Sequence, residues 1–187
     1  MKYTWTKENF ESKKFDKILV LVIGNNQEAR SIFENTIVKA LAEENIHAEN
    51  SLKLFPPIIS IDKLSENAIE SKIRVAGYDA VLVSSLVDVK SQEVFEYSGY
   101  YHPYNYRFPR HIYYGYGYVY RPGYYRQEKS YVVESRLFDA TEASAEDAII
   151  WSGQSELVDP RSFDSGAKEH AFSMVKTLLK SGVLQKP

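Results

Sequence analysis

The sequence predicts an α/β fold: a β-α-β-α-β core, then an antiparallel hairpin and a C-terminal helix, on one mixed sheet. Three observations predict it. An unbroken β-branched run at 17–23 and a second strongly apolar one at 80–87 have the pattern of buried strands. Segments with apolar residues at helical spacing lie between them. Two later runs, 131–138 and 149–154, alternate with period two. The 187 residues suit one domain at about 150 residues each, so a single α/β domain is predicted over 1–187. A Tyr/Gly/Pro/Arg-rich insert at 97–126 extends it between the third and fourth strands.

The first strand, 17–23, ends at Gly24-Asn25-Asn26, where either Asn can cap a helix. From 27 to 44 the apolar positions Ala29, Ile32, Phe33, Ile37, Ala40 and Leu41 make one helical face, with charges elsewhere. A second strand is predicted between 46 and 54, stopped by Phe55-Pro56-Pro57, because proline cannot donate to a ladder. Ser65 is the predicted cap of a second helix, with Leu64 stapled on Ile69. Ile69, Ile73 and Ala76 continue its face, and Gly77 occupies the left-handed terminator position. The strand at 80–87 follows, and Val94-Phe95-Glu96 reads as an extension of it. Parallel strands joined this way imply right-handed crossovers. After the insert come the hairpin strands, with a turn-like stretch at 139–147 between them. A last helix is predicted from about Ser165 to Lys180, apolar at Ala167, Ala171, Met174, Val175, Leu178 and Leu179, and ended by Ser181-Gly182.

Net charge is -2 and the isoelectric point about 6.1, which argues against a general nucleic-acid binder. There are no cysteines, which excludes disulfides, thiol catalysis and cysteine zinc sites. No stretch approaches the roughly 18 apolar residues of a membrane span. The opening Met1-Lys2-Tyr3-Thr4-Trp5 has no apolar signal core. That leaves two alternatives: a cytosolic protein, or one from which a signal has been removed.

Tyrosine is the compositional outlier: 13 of 15 lie between Tyr97 and Tyr131. The insert is nearly free of aliphatic residues and cannot build its own core. Ordering about 30 residues costs on the order of 1 kcal/mol each, which packed rings must offset. Three readings stand: a long hairpin extending the flanking strands, a disordered segment, or a dedicated ligand surface. The candidate surface is Tyr100, Tyr101, Tyr104, Tyr106, Arg107, Arg110, Tyr113, Tyr114, Tyr116, Tyr118, Tyr120, Arg121, Tyr124 and Tyr125, with Arg126 beside it. Aromatic rings with arginine suit a protein interface, a glycan or nucleic-acid bases. The near-neutral charge ranks them in that order, and no nucleic-acid partner is expected.

Other constellations carry less. His102 and His111 lie in the insert without a carboxylate cluster. His170 reads as a boundary residue of the last helix, and His47 as part of a turn or strand start. Gly24-Asn25-Asn26 sits where α/β proteins bind phosphate, but it lacks the GxGxxG and GK[ST] patterns and reads as an ordinary βα turn. Asp62, Glu66 and Glu70 read as solvated charges on a helix face. Asp88 follows a central strand without a base or nucleophile spaced to join it. No catalytic residue, cofactor or metal is predicted. An enzyme would need a cleft with titratable groups converging near Gly24, Asp88 or His170.

Several segments carry a family resemblance: Trp5-Thr6-Lys7, Phe15-Asp16-Lys17-Ile18-Leu19-Val20, Phe33-Glu34, Leu54-Phe55-Pro56-Pro57, Gly77-Tyr78-Asp79-Ala80-Val81-Leu82-Val83, the tyrosine-rich insert and Trp151-Ser152-Gly153. Together they resemble uncharacterised bacterial envelope lipoproteins. More distantly, the core is similar to the amino-terminal domain of TolB and the periplasmic domain of the curli-secretion lipoprotein. The resemblance implies a periplasmic protein held on the outer membrane by a lipid-bearing cysteine that precedes the mature domain. It implies no catalytic residues. The expected function is a non-enzymatic envelope interaction or assembly domain, partnered by itself or another envelope protein. The alternative is a glycan or cell-wall binding module using the insert. Membrane contact is expected only through the lipid anchor.

Overall fold

A computed structural model of the chain describes residues 1–24, 26–57, 59, 64–96, 124–142 and 148–185. The elements run β1 (Tyr3–Thr6), β2 (Ile18–Ile23), α1 (Gln27–Glu43), β3 (Ala48–Asn50), a 3₁₀ turn (Ser51–Lys53), α2 (Glu66–Val75), β4 (Ala80–Glu96), β5 (Tyr124–Asp139), β6 (Ile149–Val158) and α3 (Phe163–Lys180). The predicted fold class is the observed one: a mixed six-stranded sheet with helices. Packing divides the chain into two compact units, Met1–Lys90 with Ser130–Pro187, and Ser91–Lys129.

The helices begin and end where local chemistry directs. Asn26 accepts a hydrogen bond from the Ala29 amide at 2.9 Å, so it, not Asn25, is the cap of α1. Ser65 caps α2 in the same way from the Ala68 amide, and Gly77 ends that helix at φ +76. The last helix starts at Phe163, earlier than the predicted Ser165. Ser162 is its cap and Ser165 bonds back to it in a reciprocal box. A serine in the place of the usual Glu or Gln hides that box from a motif reading. Gly182, at φ +73, closes α3. No helix among the described residues is long and apolar enough to cross a membrane.

The strand order is β1-β6-β5-β4-β2-β3. Strands β3, β2 and β4 are parallel, and β6 is antiparallel to both β5 and β1. Strand β1 was not foreseen: four residues with no hydrophobic run, held at the edge by pairing Trp5 with Ser152. Strand β4 runs through to Glu96, in line with the extension expected at Val94-Phe95-Glu96, and β5 starts at Tyr124 where Tyr131 was predicted. Tyr124, Tyr125 and Arg126 therefore belong to a strand. Residues 97–123, with the rest of the candidate surface and both insert histidines, lie outside the described residues.

Within the larger unit, the two strand faces read out by parity. Ile18 and Val20 of β2, Ala80 and Leu82 of β4 and Leu137 of β5 point into the main core, against Ile37 and Leu41 of α1 and Ala171, Met174, Val175 and Leu178 of α3. Leu19 and Val81 point the other way, onto Phe55, Ile73 of α2 and Tyr78. Helices α1 and α3 thus cover one face and α2 the other. The continuous apolar runs of β2 and β4 record burial on both sides.

Trp151 is the largest fully buried side chain, and Gly153 makes its position available. A Cβ on Gly153 would lie 2.6 Å from the Trp151 ring. Gly153→Ala is expected to lower stability by about 1–3 kcal/mol by forcing the indole to shift; urea unfolding of the two proteins measures it, and equal midpoints would remove this role for the glycine.

Candidate functional site

Strands β4, β5 and β6 extend past the first turns of α1 and α3, and a pocket of about 460 Å³ opens at that ledge. Its floor is the inner sheet face at Val22, Ser84, Leu86, Tyr131, Val133 and Leu157. Ala29 and Phe33 of α1 and Phe163 and Gly166 of α3 wall it in. The site lies outside the carboxyl end of β2, with β3 on one side and β4 on the other. That is the switch point at which open α/β sheets hold ligands. Its volume is in the range of small-molecule and side-chain pockets. Ile23, Leu86 and Phe163 at the rim are each about half exposed.

The wall of the pocket is fixed by buried charge. Glu34 is fully buried and was predicted on a charged outer face. Its carboxylate accepts from the Val22 amide (3.0 Å), Arg30 Nε (2.9 Å), the Ser51 amide (2.9 Å) and Ser51 Oγ (2.8 Å). Arg30 Nη2 donates to Ser51 Oγ and to the Phe55 carbonyl. Arg30 lines the pocket, with its Nε and Nη2 engaged behind it. The helix ends are engaged as well, with Asn26 and Ser162 already holding amides of their own first turns. The Gly24 turn is thus an ordinary self-capped βα turn beside an apolar cavity, with Asn25 outside the described residues.

A second polar cluster lies farther in on the same sheet face, sharing Ser84 with the floor. Ser84 Oγ is 2.7 Å from Ser135 Oγ, which is 3.1 Å from His170 Nε2, and Ser155 Oγ is 2.6 Å from His170 Nδ1. His170 is fully buried, not a boundary residue. Ser135 and Ser155 satisfy the two ring nitrogens, and Ser84 on the next strand pairs with Ser135, since a hydroxyl can donate or accept. Burial, with a lesser contribution from the positive amino terminus, pushes the imidazole down to about 4.

The remaining candidates are spread apart. Asp88 lies exposed inside β4 rather than after a strand. Glu66 opens α2, Glu70 pairs with Arg74 at 2.9 Å, and Asp62 lies outside the described residues. His47 is exposed, 3.2 Å from the Asp16 carbonyl. In the smaller unit, Tyr125 is exposed and its ring meets that of Phe95 at 5.1 Å. No group of three metal-ligating side chains occurs among the described residues. Among the residues lining the pocket, the titratable ones are Arg30 and Tyr131. The sequence reading passed over the pocket because its lining looks like ordinary strand and helix residues. The available signal was the chain's turn into α1 after Ile23, together with two helix starts that carry apolar residues in their first turns.

The fold and the pocket define a mixed α/β domain with an apolar site at the strand ends. No family model matches the chain, and no curated protein matches it. Among solved structures, it is similar to a variant PelC dodecamer from Paraburkholderia phytofirmans, at 15% identity over 100% of both chains with a TM-score of 0.49. It is also similar to the lipoprotein GNA1162 from Neisseria meningitidis, at 15% identity over 88% of this chain and 98% of that one, with a TM-score of 0.45. A third is the hypothetical protein CT253 from Chlamydia trachomatis, at 12% identity over 91% and 98%, with a TM-score of 0.40.

Two outcomes follow from the buried polar groups. Glu34→Ala strands the Arg30 charge and is expected to cost about 3–5 kcal/mol, whereas Arg30→Met with Glu34→Leu costs less than either single change; urea titrations compare them. For His170, the folded state refuses a proton that the unfolded chain takes near its ordinary 6.5. The stabilisation is therefore complete above 6.5 and lost as pH falls from 6.5 to about 4, on the order of 3 kcal/mol in all. His170→Gln flattens stability over that window; an unchanged pH slope would show that the imidazole is not the group responsible.

Proposed function

We propose that the chain is a non-enzymatic interaction and assembly domain of the bacterial cell envelope, working through its tyrosine- and arginine-rich segment. The observation that carries the reading is that the two strands reach that segment from both ends, β4 running out to Glu96 and β5 running in from Tyr124. Within the smaller unit, Gln92 Nε2 donates to Glu128 at 3.1 Å and Phe95 meets Tyr125, so rising numbers in β4 meet falling numbers in β5. A segment tethered this way loses less entropy on binding than a free loop of equal length. Tyrosine and arginine are the residue types that concentrate binding energy at protein interfaces.

The contacts are assigned to Tyr100, Tyr101, Tyr104, Tyr106, Arg107, Arg110, Tyr113, Tyr114, Tyr116, Tyr118, Tyr120 and Arg121, together with the strand residues Tyr124 and Tyr125. The partner is a second copy or another envelope protein. Periplasmic location with a lipid anchor on the outer membrane is part of the same reading, supported by the resemblance carried by Phe15–Val20, Gly77–Val83 and Trp151-Ser152-Gly153.

Replacing 97–123 by a short turn tests it. The full chain is expected to assemble in light scattering, and the shortened chain to keep its circular dichroism and run as a monomer. An unchanged mass would remove the assembly role. A monomeric full chain whose tyrosine fluorescence responds to millimolar cell-wall fragments would put glycan binding in its place.

A further inference from the structure

We infer that the apolar pocket and the adjoining edge of β4 form one site, which takes an extended segment of a partner polypeptide as an added strand, with an apolar side chain set into the pocket. The site lies in the larger unit and uses none of residues 97–126, so it goes beyond the assembly reading.

The argument starts from the ladder. Strand β2 pairs with β4 from Ile18 opposite Ala80 to Ile23 opposite Ser85. The chain then turns into α1 while β4 goes on. Beyond Ser85, no strand among the described residues lies on the β2 side of β4. Residues 86–90 are all exposed, so this edge offers backbone donors and acceptors in the line that β2 leaves vacant. Edges of this kind are normally blunted by charge or proline. Here Asp88 and Lys90 supply charge, and Leu86, Val87 and Val89 beside them are each about half exposed.

The pocket opens beside the same residue, since Leu86 is both on the edge and in the pocket lining. Two demands therefore meet at one place. The edge asks for a backbone with alternating amide and carbonyl groups, and the cavity asks for an apolar body. A small hydrophobic molecule would leave the edge unpaired, and a flat protein surface would leave the cavity empty. An extended peptide meets both, with main-chain bonds supplying affinity and the pocket supplying selectivity. Arg30 turns Nε and Nη2 to Glu34, Ser51 and the Phe55 carbonyl, and each helix start carries its own side-chain cap, which disfavours an anionic head group.

Pairing rules fix the partner's chemistry. Residues directly opposite each other share a face. The residue opposite Leu86 enters the pocket side and is a large aliphatic or aromatic one. Asp88, exposed two residues on, selects a basic neighbour, whereas Lys90 is already paired with Glu156 of β6 at 4.0 Å. Val87 and Val89 face the other side and select apolar residues. The partner is an extended segment with this alternation.

A displayed library of random heptapeptides, selected on the whole chain, tests the site, with affinities read by fluorescence anisotropy. Peptides with alternating apolar residues and one large apolar side chain are expected to be enriched. Ala29→Trp, which narrows the pocket, and Val87→Lys with Val89→Lys, which blunts the edge, should each weaken them by about tenfold or more while circular dichroism stays the same. Backbone N-methylation of the selected peptide should weaken it similarly, which needs no variant to fold. The proposal fails if no such peptide is enriched, or if binding ignores the pocket, edge and N-methyl changes. It also fails if blunting the edge instead dissolves a self-associated form, since the edge then belongs to a second copy. Decanoate binding that Ala29→Trp abolishes, with no peptide enriched, overturns it in favour of a small-molecule pocket.

Discussion

The carboxylate of Glu34 is the constraint on which the sheet-helix geometry depends. From inside α1 it holds the Val22 amide near the end of β2 and both the amide and hydroxyl of Ser51 after β3. Those segments are the carboxyl ends of the two strands that the first crossover joins, so one side chain sets how α1 lies across the parallel strands. A buried carboxylate is tolerable only with a matched cation and saturated lone pairs. Arg30, one turn earlier, provides the cation and extends the network to the Phe55 carbonyl. An apolar residue at 34 could fill the space but could not address two backbone amides. This network specifies one arrangement where hydrophobic packing alone would accept several.

The pocket follows from that placement. With α1 locked to β2, its first turn stands back from the strand ends, and α3 packs against it with its own first turn at the same level. The strands continue and the helices do not, so an apolar ledge is left where neighbouring side chains would otherwise meet. The polar groups near the ledge are directed inward. Ser135 and Ser155 satisfy His170, with Ser84 backing Ser135, which keeps a titratable group in the core without presenting it to solvent.

The fold was largely legible because its signals are local. Unbroken apolar runs marked β2 and β4, and the capping serine before Glu66 and the glycine at 77 bracketed α2. The alternation at 149–154 marked the hairpin strand. What escaped had non-local causes. Strand β1 is built of β-favouring residues, Tyr3-Thr4-Trp5-Thr6, but four residues without an apolar run give no pattern, and the edge of β6 is what orders them. Arg30 and Glu34 look like surface charges until the two chain segments that receive them are in place. His170 sits beside an apolar stripe, and only the strand serines show why it can be inside. The candidate binding surface was read from composition, and of its members Tyr124 and Tyr125 fall in a described strand. The pocket was invisible because it arises from where elements stop, and stopping points are what a periodicity reading defines least well.

The long strand β4 has a further consequence. An open apolar edge is also where unwanted stacking of identical chains begins, each strand laid on its twin in the same direction and register. In such a stack Asp88 would lie on Asp88 and Lys90 on Lys90, without water to screen them. Those two charges, set among Leu86, Val87 and Val89, act as gatekeepers against fibrillar growth. Because a positive charge on an incoming strand would relieve Asp88, while Lys90 already has Glu156 beside it, the edge that opposes an array of copies stays open to a complementary guest.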